Sequence, residues 1–352
     1  MRGLVLEEVG RVVHRTDLPD PAVTTTTDAV VAVRCAGLCG SDLHPYQGRE
    51  RVRFGVVCGH EAVGEVVAAG SQVDGVDVGD RVLVPFTTSC GACGPCRRGL
   101  TARCVRGELF GFGPPDDPSV PALDGCQAQY VRVPLAGSTL VRIPDEVDDM
   151  AAVLLTDNLP TGWCAVERTG VGAGDALAVV GLGAVGLSAV AVAVTVGVGP
   201  ILAVDPVPER RHAAARLGAE ITTPADAVAT MAALVPGGGA PAVVEAAGTT
   251  AAHGLACALV RPGGTVSVIA VQTGTTFGFT PVAAYDANLT VRFGRASVRT
   301  ALDRVLPRVD DLLPRLAEVV LTGPVVDRAD GPDAYARFAR REAGTLKVVF
   351  AP

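Results

Sequence analysis

Residues 176–202 form one long uncharged stretch, and the way it is punctuated leaves few folds open. An apolar run of this length can cross a membrane. Here Gly181, Gly183, Gly186, Gly197, Gly199 and Pro200 cut it into pieces too short for a single membrane helix. The pieces read as a strand over 176–180, a turn Gly181-Leu182-Gly183-Ala184-Val185-Gly186, a buried helix over 187–196 and a second strand over 201–205. Gly-x-Gly-x-x-Gly alone is a weak signal. Between a strand and a helix, with Asp205 closing the next strand nineteen residues after the last glycine, it is the arrangement that a dinucleotide-binding turn requires. The glycines let backbone amides reach a pyrophosphate at the helix amino end, and the Asp205 carboxylate accepts from the adenosine ribose hydroxyls. That charge repels a 2′-phosphate and favours NAD over NADP, while Arg210 and Arg211 nearby pull the other way. Asp205 also has a plainer reading, as the cap of the helix that follows.

Further βα units succeed it: a strand over 242–245, a helix over 249–259 and a strand over 263–269. Alternation of this kind builds an α/β doubly wound parallel sheet. Composition shifts near Ala152, and the alternation ends near Gly294. Upstream, residues 30–33, 62–67 and 81–84 read as short strands with irregular links, which suits a small β-barrel. The 352 residues are enough for two cores. The expected division is therefore a β-rich domain from 1–152 and 297–352, with a dinucleotide-binding domain from 153–296 inserted into it.

Cys90, Cys93, Cys96 and Cys104 stand at intervals of three, three and eight residues, with Gly and Pro between them and Arg97, Arg98, Thr101 and Arg103 interleaved. A core does not look like this. A closed tetrahedral thiolate site does, and a zinc ion held so, with no open position, braces a lobe over 90–104. An iron–sulfur cluster would use the same ligands. Cys39-Gly40-Ser41-Asp42-Leu43-His44 and Gly59-His60-Glu61 bring a thiolate, an imidazole and a carboxylate into one span, a set that suits zinc as well. On spacing alone, Cys39 and His60 also read as a buried thiol and a surface histidine. The formal net charge of −7, with arginines scattered among more numerous acids, argues against nucleic acid and for a small-molecule substrate. Glu7 and Glu8 precede any apolar run of signal-sequence length, and the ten cysteines fit metal ligands and buried thiols better than disulfides, so a cytoplasmic chain is expected.

These motifs, with Asp157-Asn158-Leu159-Pro160-Thr161-Gly162-Trp163, together resemble the zinc-dependent alcohol dehydrogenases of the medium-chain dehydrogenase/reductase family over nearly the whole chain. The resemblance implies a GroES-like catalytic domain and a Rossmann domain with the active site in the cleft between them, two zinc ions per chain, NAD(H), and a homotetramer or homodimer. It implies that Cys39, His60 and Asp157 hold the catalytic zinc, with Glu61 either a further ligand or a group behind the ligands. Asp157 replaces the cysteine of one branch, as in secondary-alcohol and related dehydrogenases, which points to a secondary or polyol-like alcohol. Ser41 and His44 match a proton relay that runs through the nicotinamide ribose to solvent. Gly181, Gly183, Ala184, Val185, Gly186, Asp205, Arg210 and Ile269 are the expected nucleotide contacts. The stretch Gly125-Cys126-Gln127-Ala128-Gln129-Tyr130 and the loop 109–123, with four prolines, depart from the family pattern, and Phe110, Cys126 and Trp163 are expected near substrate. Two alternatives remain open: a zinc-free quinone or enoyl reductase of the same fold, and a non-catalytic zinc- and nucleotide-binding protein.

Overall fold

The computed structural model describes residues 1–113, 122–342 and 345–351. Two compact units emerge: Met1–Asp157 with Ser297–Asp303 and Leu321–Pro352, and Asn158–Ala296 with Arg304–Val320.

The first unit is organised on a bulged sheet. Strand β1 (Ala29–Leu38) pairs antiparallel with β2 (Ala62–Ala69), β2 with β3 (Arg81–Val84), and β1 also with β4 (Tyr130–Val133). The final strand, Val348–Ala351, adds antiparallel to the other end of β1. Register shifts between Val30 and Val31 and between Val33 and Cys35 bend β1. Bulges of this kind curve a sheet towards closure. Val31, Val33, Val66, Val82, Val84, Val131 and Val133 fill the core beneath it. Alternating valines are what a half-buried pleated strand selects. Helix α1 (Asp149–Thr156) starts at Asp148, whose carboxylate accepts the N–H groups of Met150 and Ala151, both at 3.0 Å.

The second unit begins with helix α2 (Asn158–Glu167) and strand β5 (Leu177–Val180), then α3 (Ala184–Thr195), β6 (Ile201–Val204), α4 (Pro208–Leu217), β7 (Glu220–Thr222), β8 (Ala240–Glu245), α5 (Thr250–Leu259), β9 (Val260–Val268) and β10 (Thr290–Phe293). All neighbouring strands are parallel, in the order β7-β6-β5-β8-β9-β10. Leu177, Ala178 and Val179 are fully buried, as a central strand covered on both faces requires. The uncharged stretch thus divides into β5, α3 and β6, and among the described residues no helix is long and apolar enough to cross a membrane.

The tail is divided differently from the expected 297–352 segment. Helix α6 (Val309–Val320) clusters with the second unit. Its buried stripe of Val309, Leu312, Leu313, Leu316 and Val319 recurs at helical spacing and packs on α3 and α4.

Candidate active site

Cys39 follows β1 directly and opens a short 3₁₀ turn, Gly40–Asp42. Asp42 folds back over that turn. Its Oδ2 accepts the Cys39 N–H at 2.9 Å, and its Oδ1 lies 2.9 Å from His60 Nδ1. Buried Asp42 accepts from Nδ1 and so turns Nε2 towards Cys39 and Asp157, which makes Nε2 the nitrogen a metal ion would take. Asp157 breaks the path between α1 and α2, with a non-helical backbone (φ −152°, ψ −67°). Its Oδ2 lies 3.5 Å from Cys39 Sγ and 3.7 Å from His60 Nε2. Ser41 Oγ stands 3.3 Å from the same His60 Nε2.

Glu61 is fully buried beside them, and the Lys347 ammonium, itself buried, donates to its Oε2. Gly37 leaves room for this pair: a Cβ there would fall 1.8 Å from Glu61 Oε2. The donor atoms of Cys39, His60, Glu61 and Asp157 all lie within 4.8 Å of one another. Such crowding is costly without a cation. Burial and then Asp157 push the Cys39 thiol up, and burial raises the Glu61 carboxyl against the pull of Lys347. Burial opposes charge on His60 too, but Asp42, Asp157 and Cys39 outweigh it and raise the imidazole well above its ordinary value. One thiol, one oriented imidazole and two carboxylates fit a borderline dication, which would relieve the mutual repulsion.

The four-cysteine cluster also converges within 4.8 Å. Backbone amides stabilise its thiolates. Those of Val105 and Cys96 bring Cys93 down to about 6, while burial and neighbouring sulfurs push Cys96 up to about 12. The Cys90 and Arg106 N–H groups point at Cys104 Sγ, at 3.3 and 3.4 Å.

In the second unit, Gly181 takes φ +91° at the end of β5, and a Cβ on Gly186 would fall 1.8 Å from the Gly181 carbonyl oxygen. Those two glycines are required by the turn itself. Gly183, the N-cap of α3, is not: a Cβ there would meet no atom within 4 Å. The open space above Gly183, at a helix amino end, suits a pyrophosphate. Ala184 and Val185 form the first turn of α3. Asp205 serves the turn as well, its two oxygens accepting the Leu182 and Val207 N–H groups at 2.8 Å each. Each oxygen retains a lone pair. Arg210 approaches Asp205 Oδ2 at 3.9 Å, whereas Arg211 is committed to the carbonyls of Asp205 and Pro206, at 2.7 and 2.9 Å. Ile269 follows β9 and is buried.

Two family models match: an alcohol dehydrogenase GroES-like domain over residues 25–145 and a zinc-binding dehydrogenase over 184–309. A Mycobacterium tuberculosis protein described as a probable zinc-binding alcohol dehydrogenase is 40% identical over 308 residues, 87% of this chain and 78% of that one. The chain belongs to the zinc-binding alcohol dehydrogenase family. Bacillus subtilis sorbitol dehydrogenase is 32% identical over 263 residues, covering 73% of this dehydrogenase and 71% of the relative. The solved structure of the alcohol dehydrogenase TADH from Thermus sp. ATN1 superposes with a TM-score of 0.90 at 35% identity, over 100% of this chain and 99% of that one. The mixed architecture is accordingly a GroES-like domain joined to a Rossmann-type parallel sheet.

Phe110 and Cys126, expected near substrate, are wholly buried in the first unit's core. The aromatic rings that flank His60 are Phe86 and Phe112, with centroids at 6.1 and 5.7 Å. The Gly125–Tyr130 departure is structural at Gln127, whose amide donates to the Gly37 carbonyl at 2.9 Å and accepts from the Tyr335 hydroxyl at 2.8 Å. His44, expected near solvent, is only 9% exposed, and burial with Arg49 nearby brings its imidazole down to about 4. Trp163 lies in the second unit with the Arg308 guanidinium 5.4 Å above its ring. Pro114, Pro115, Pro118 and Pro121 of the departing loop lie outside the described residues. Sequence reasoning missed Asp42 and Lys347. Asp42 sits inside the Cys39–His44 motif, and Lys347 is the only lysine in the chain, so both carried a signal.

Proposed function

We propose that the chain is an NAD-dependent zinc oxidoreductase that interconverts an alcohol, of secondary or polyol type, with its carbonyl compound. The observation that carries this is the convergence of half-buried Cys39 with buried His60, Asp157 and Glu61, and Asp42 orienting the His60 ring. Bound there, zinc would supply Lewis acidity, drawing an alcohol pKa from about 16 towards about 7 while a nicotinamide ring takes the hydride. Cys39, His60 and Asp157 are the ligands in this reading, and Glu61, held by Lys347, stands behind them or completes the set. Ser41, beside His60 Nε2, takes up the hydroxyl proton in this reading, and His44 is the next group of the relay. Cys90, Cys93, Cys96 and Cys104 hold a second, structural zinc.

In the second unit, Gly181, Gly183, Ala184, Val185 and Gly186 cradle the pyrophosphate, Asp205 and Arg210 meet the adenosine ribose, and Ile269 closes the pocket. Asp157 and the sorbitol dehydrogenase relative support the secondary-alcohol or polyol class. A cytoplasmic homo-oligomer, tetramer or dimer, completes the proposal. The open edge of β10 with Phe293 56% exposed, and Tyr285 at 82%, supports self-association. Purified enzyme incubated with NAD and a panel of polyols, secondary alcohols, amino alcohols and primary alcohols tests it through NADH absorbance. Turnover of secondary alcohols or polyols is expected. No NADH with any alcohol, or a protein free of zinc, would favour the quinone or enoyl reductase alternative.

A further inference from the structure

Glu245 and His253 are a buried titratable pair that the alcohol chemistry leaves unused, 0% and 2% exposed. Glu245 closes β8, level with Val180 on β5 and Val268 on β9. The strand order reverses between β5 and β8, which marks the crevice where ligands bind at the carboxyl ends of an open sheet. Glu245 therefore stands at the switch point.

Its atoms are divided between two loops. The backbone carbonyl accepts the Ile269 N–H at 3.0 Å. Side-chain Oε1 accepts the N–H groups of Ala247 and Gly248, at 2.8 and 2.7 Å. Among the described residues Oε2 has no hydrogen-bond partner; it lies 3.6 Å from His253 Nε2, and Gln272 is the other polar side chain at that imidazole. His253 sits one turn into α5 and stacks on Phe277, with centroids 3.9 Å apart and planes at 14°. Burial raises the Glu245 carboxyl and lowers the His253 imidazole.

Through these contacts the pair fixes residues 246–249 and ties the segment around Phe277 to α5. The first of these loops borders the glycine turn: a Cβ on Gly181 would fall 2.8 Å from Ala247 Cβ. Gly248, at φ +70°, in turn lies close against the Val271 carbonyl. Asp205 follows β6, on the adenosine side of the switch point, so the β8–β9 side is left to the other mononucleotide.

We propose that Glu245 and His253 are positioning residues for the nicotinamide mononucleotide half of a bound dinucleotide, acting through the 246–249 loop and the Phe277 segment. This rests on the dinucleotide reading above. The test compares binding of NADH with binding of ADP-ribose, which lacks nicotinamide, by titration calorimetry on zinc-loaded protein. Glu245→Ala is expected to weaken NADH about tenfold and ADP-ribose by less than about twofold. Glu245→Gln keeps an acceptor for Ala247 and Gly248 and is expected to restore most of the loss. His253→Ala, which removes the stack on Phe277, gives a second route should Glu245→Ala fail to fold, with NADH alone weakened about threefold. Equal weakening of both ligands, or of neither, overturns the positioning role. A wild-type protein that binds neither ligand refutes the dinucleotide reading itself.

Discussion

Replacing Asp42 by Asn perturbs the catalytic donors without touching any of them. The carboxylate presents two acceptors to two buried donors, the Cys39 N–H and His60 Nδ1, each at 2.9 Å. An amide offers one acceptor and one NH₂ group, so one of those donors must face another donor. A hydrogen bond to a charged acceptor is worth about 1.5–3 kcal/mol. Loss of the carboxylate behind a ligating histidine typically lowers metal affinity about 10–100-fold, or about 1.4–2.8 kcal/mol. The two figures agree, which sets the expected effect at one to two orders of magnitude. Zinc retention can be followed by elemental analysis across a chelator series. Asp42→Asn should release one of two ions at about 10–100-fold lower chelator concentration, leaving the four-cysteine ion in place. Unchanged retention, or simultaneous loss of both ions, would refute the assignment of Asp42 as the orienting group.

Gly183 and Gly186 should respond oppositely. Gly183→Ala fills open space and is expected to leave the melting temperature within about 2 °C while weakening NADH at least about tenfold; Gly186→Ala meets the Gly181 carbonyl and should cost about 1–3 kcal/mol in denaturant unfolding. Because the folded protein holds His44 near 4, below its unfolded value, the unfolded chain binds the extra proton as pH falls from about 6.5 to 4 and stability declines over that window. His44→Gln should flatten that acid-side slope in unfolding measured between pH 7 and 4, and an unchanged slope would contradict it. Cys93→Ser should release the structural ion and lower the melting temperature while the Cys39 centre still binds zinc, as elemental analysis would reveal.

Local signals made much of this legible in advance. The turn between β5 and α3 announced itself because Gly181 and Gly186 answer to backbone geometry within a few residues, and α3 starts three residues before the expected 187 because Gly183 takes the N-cap. The four cysteines likewise converge over a short span. Strand β10 was not legible, since Thr290-Val291-Arg292-Phe293 is largely exposed and lacks the apolar run of a central strand. The Lys347–Glu61 pair joins residues 286 apart, and no local pattern encodes such a contact. Phe110 and Cys126 belong to the first unit's core, and an apolar residue near a site and an apolar residue in a core look alike in sequence.

Zinc content measured alongside alcohol-dependent NADH formation in Asp157→Ala bears on the catalytic centre most directly. The expected result is a fall from two ions per chain to one, loss of turnover and an intact fold, because the Cys39–His60 pair loses its carboxylate donor while the cysteine cluster keeps its own. A variant that retains both ions and turns over alcohol at the wild-type rate would contradict the assignment of Cys39, His60 and Asp157 as the catalytic metal site.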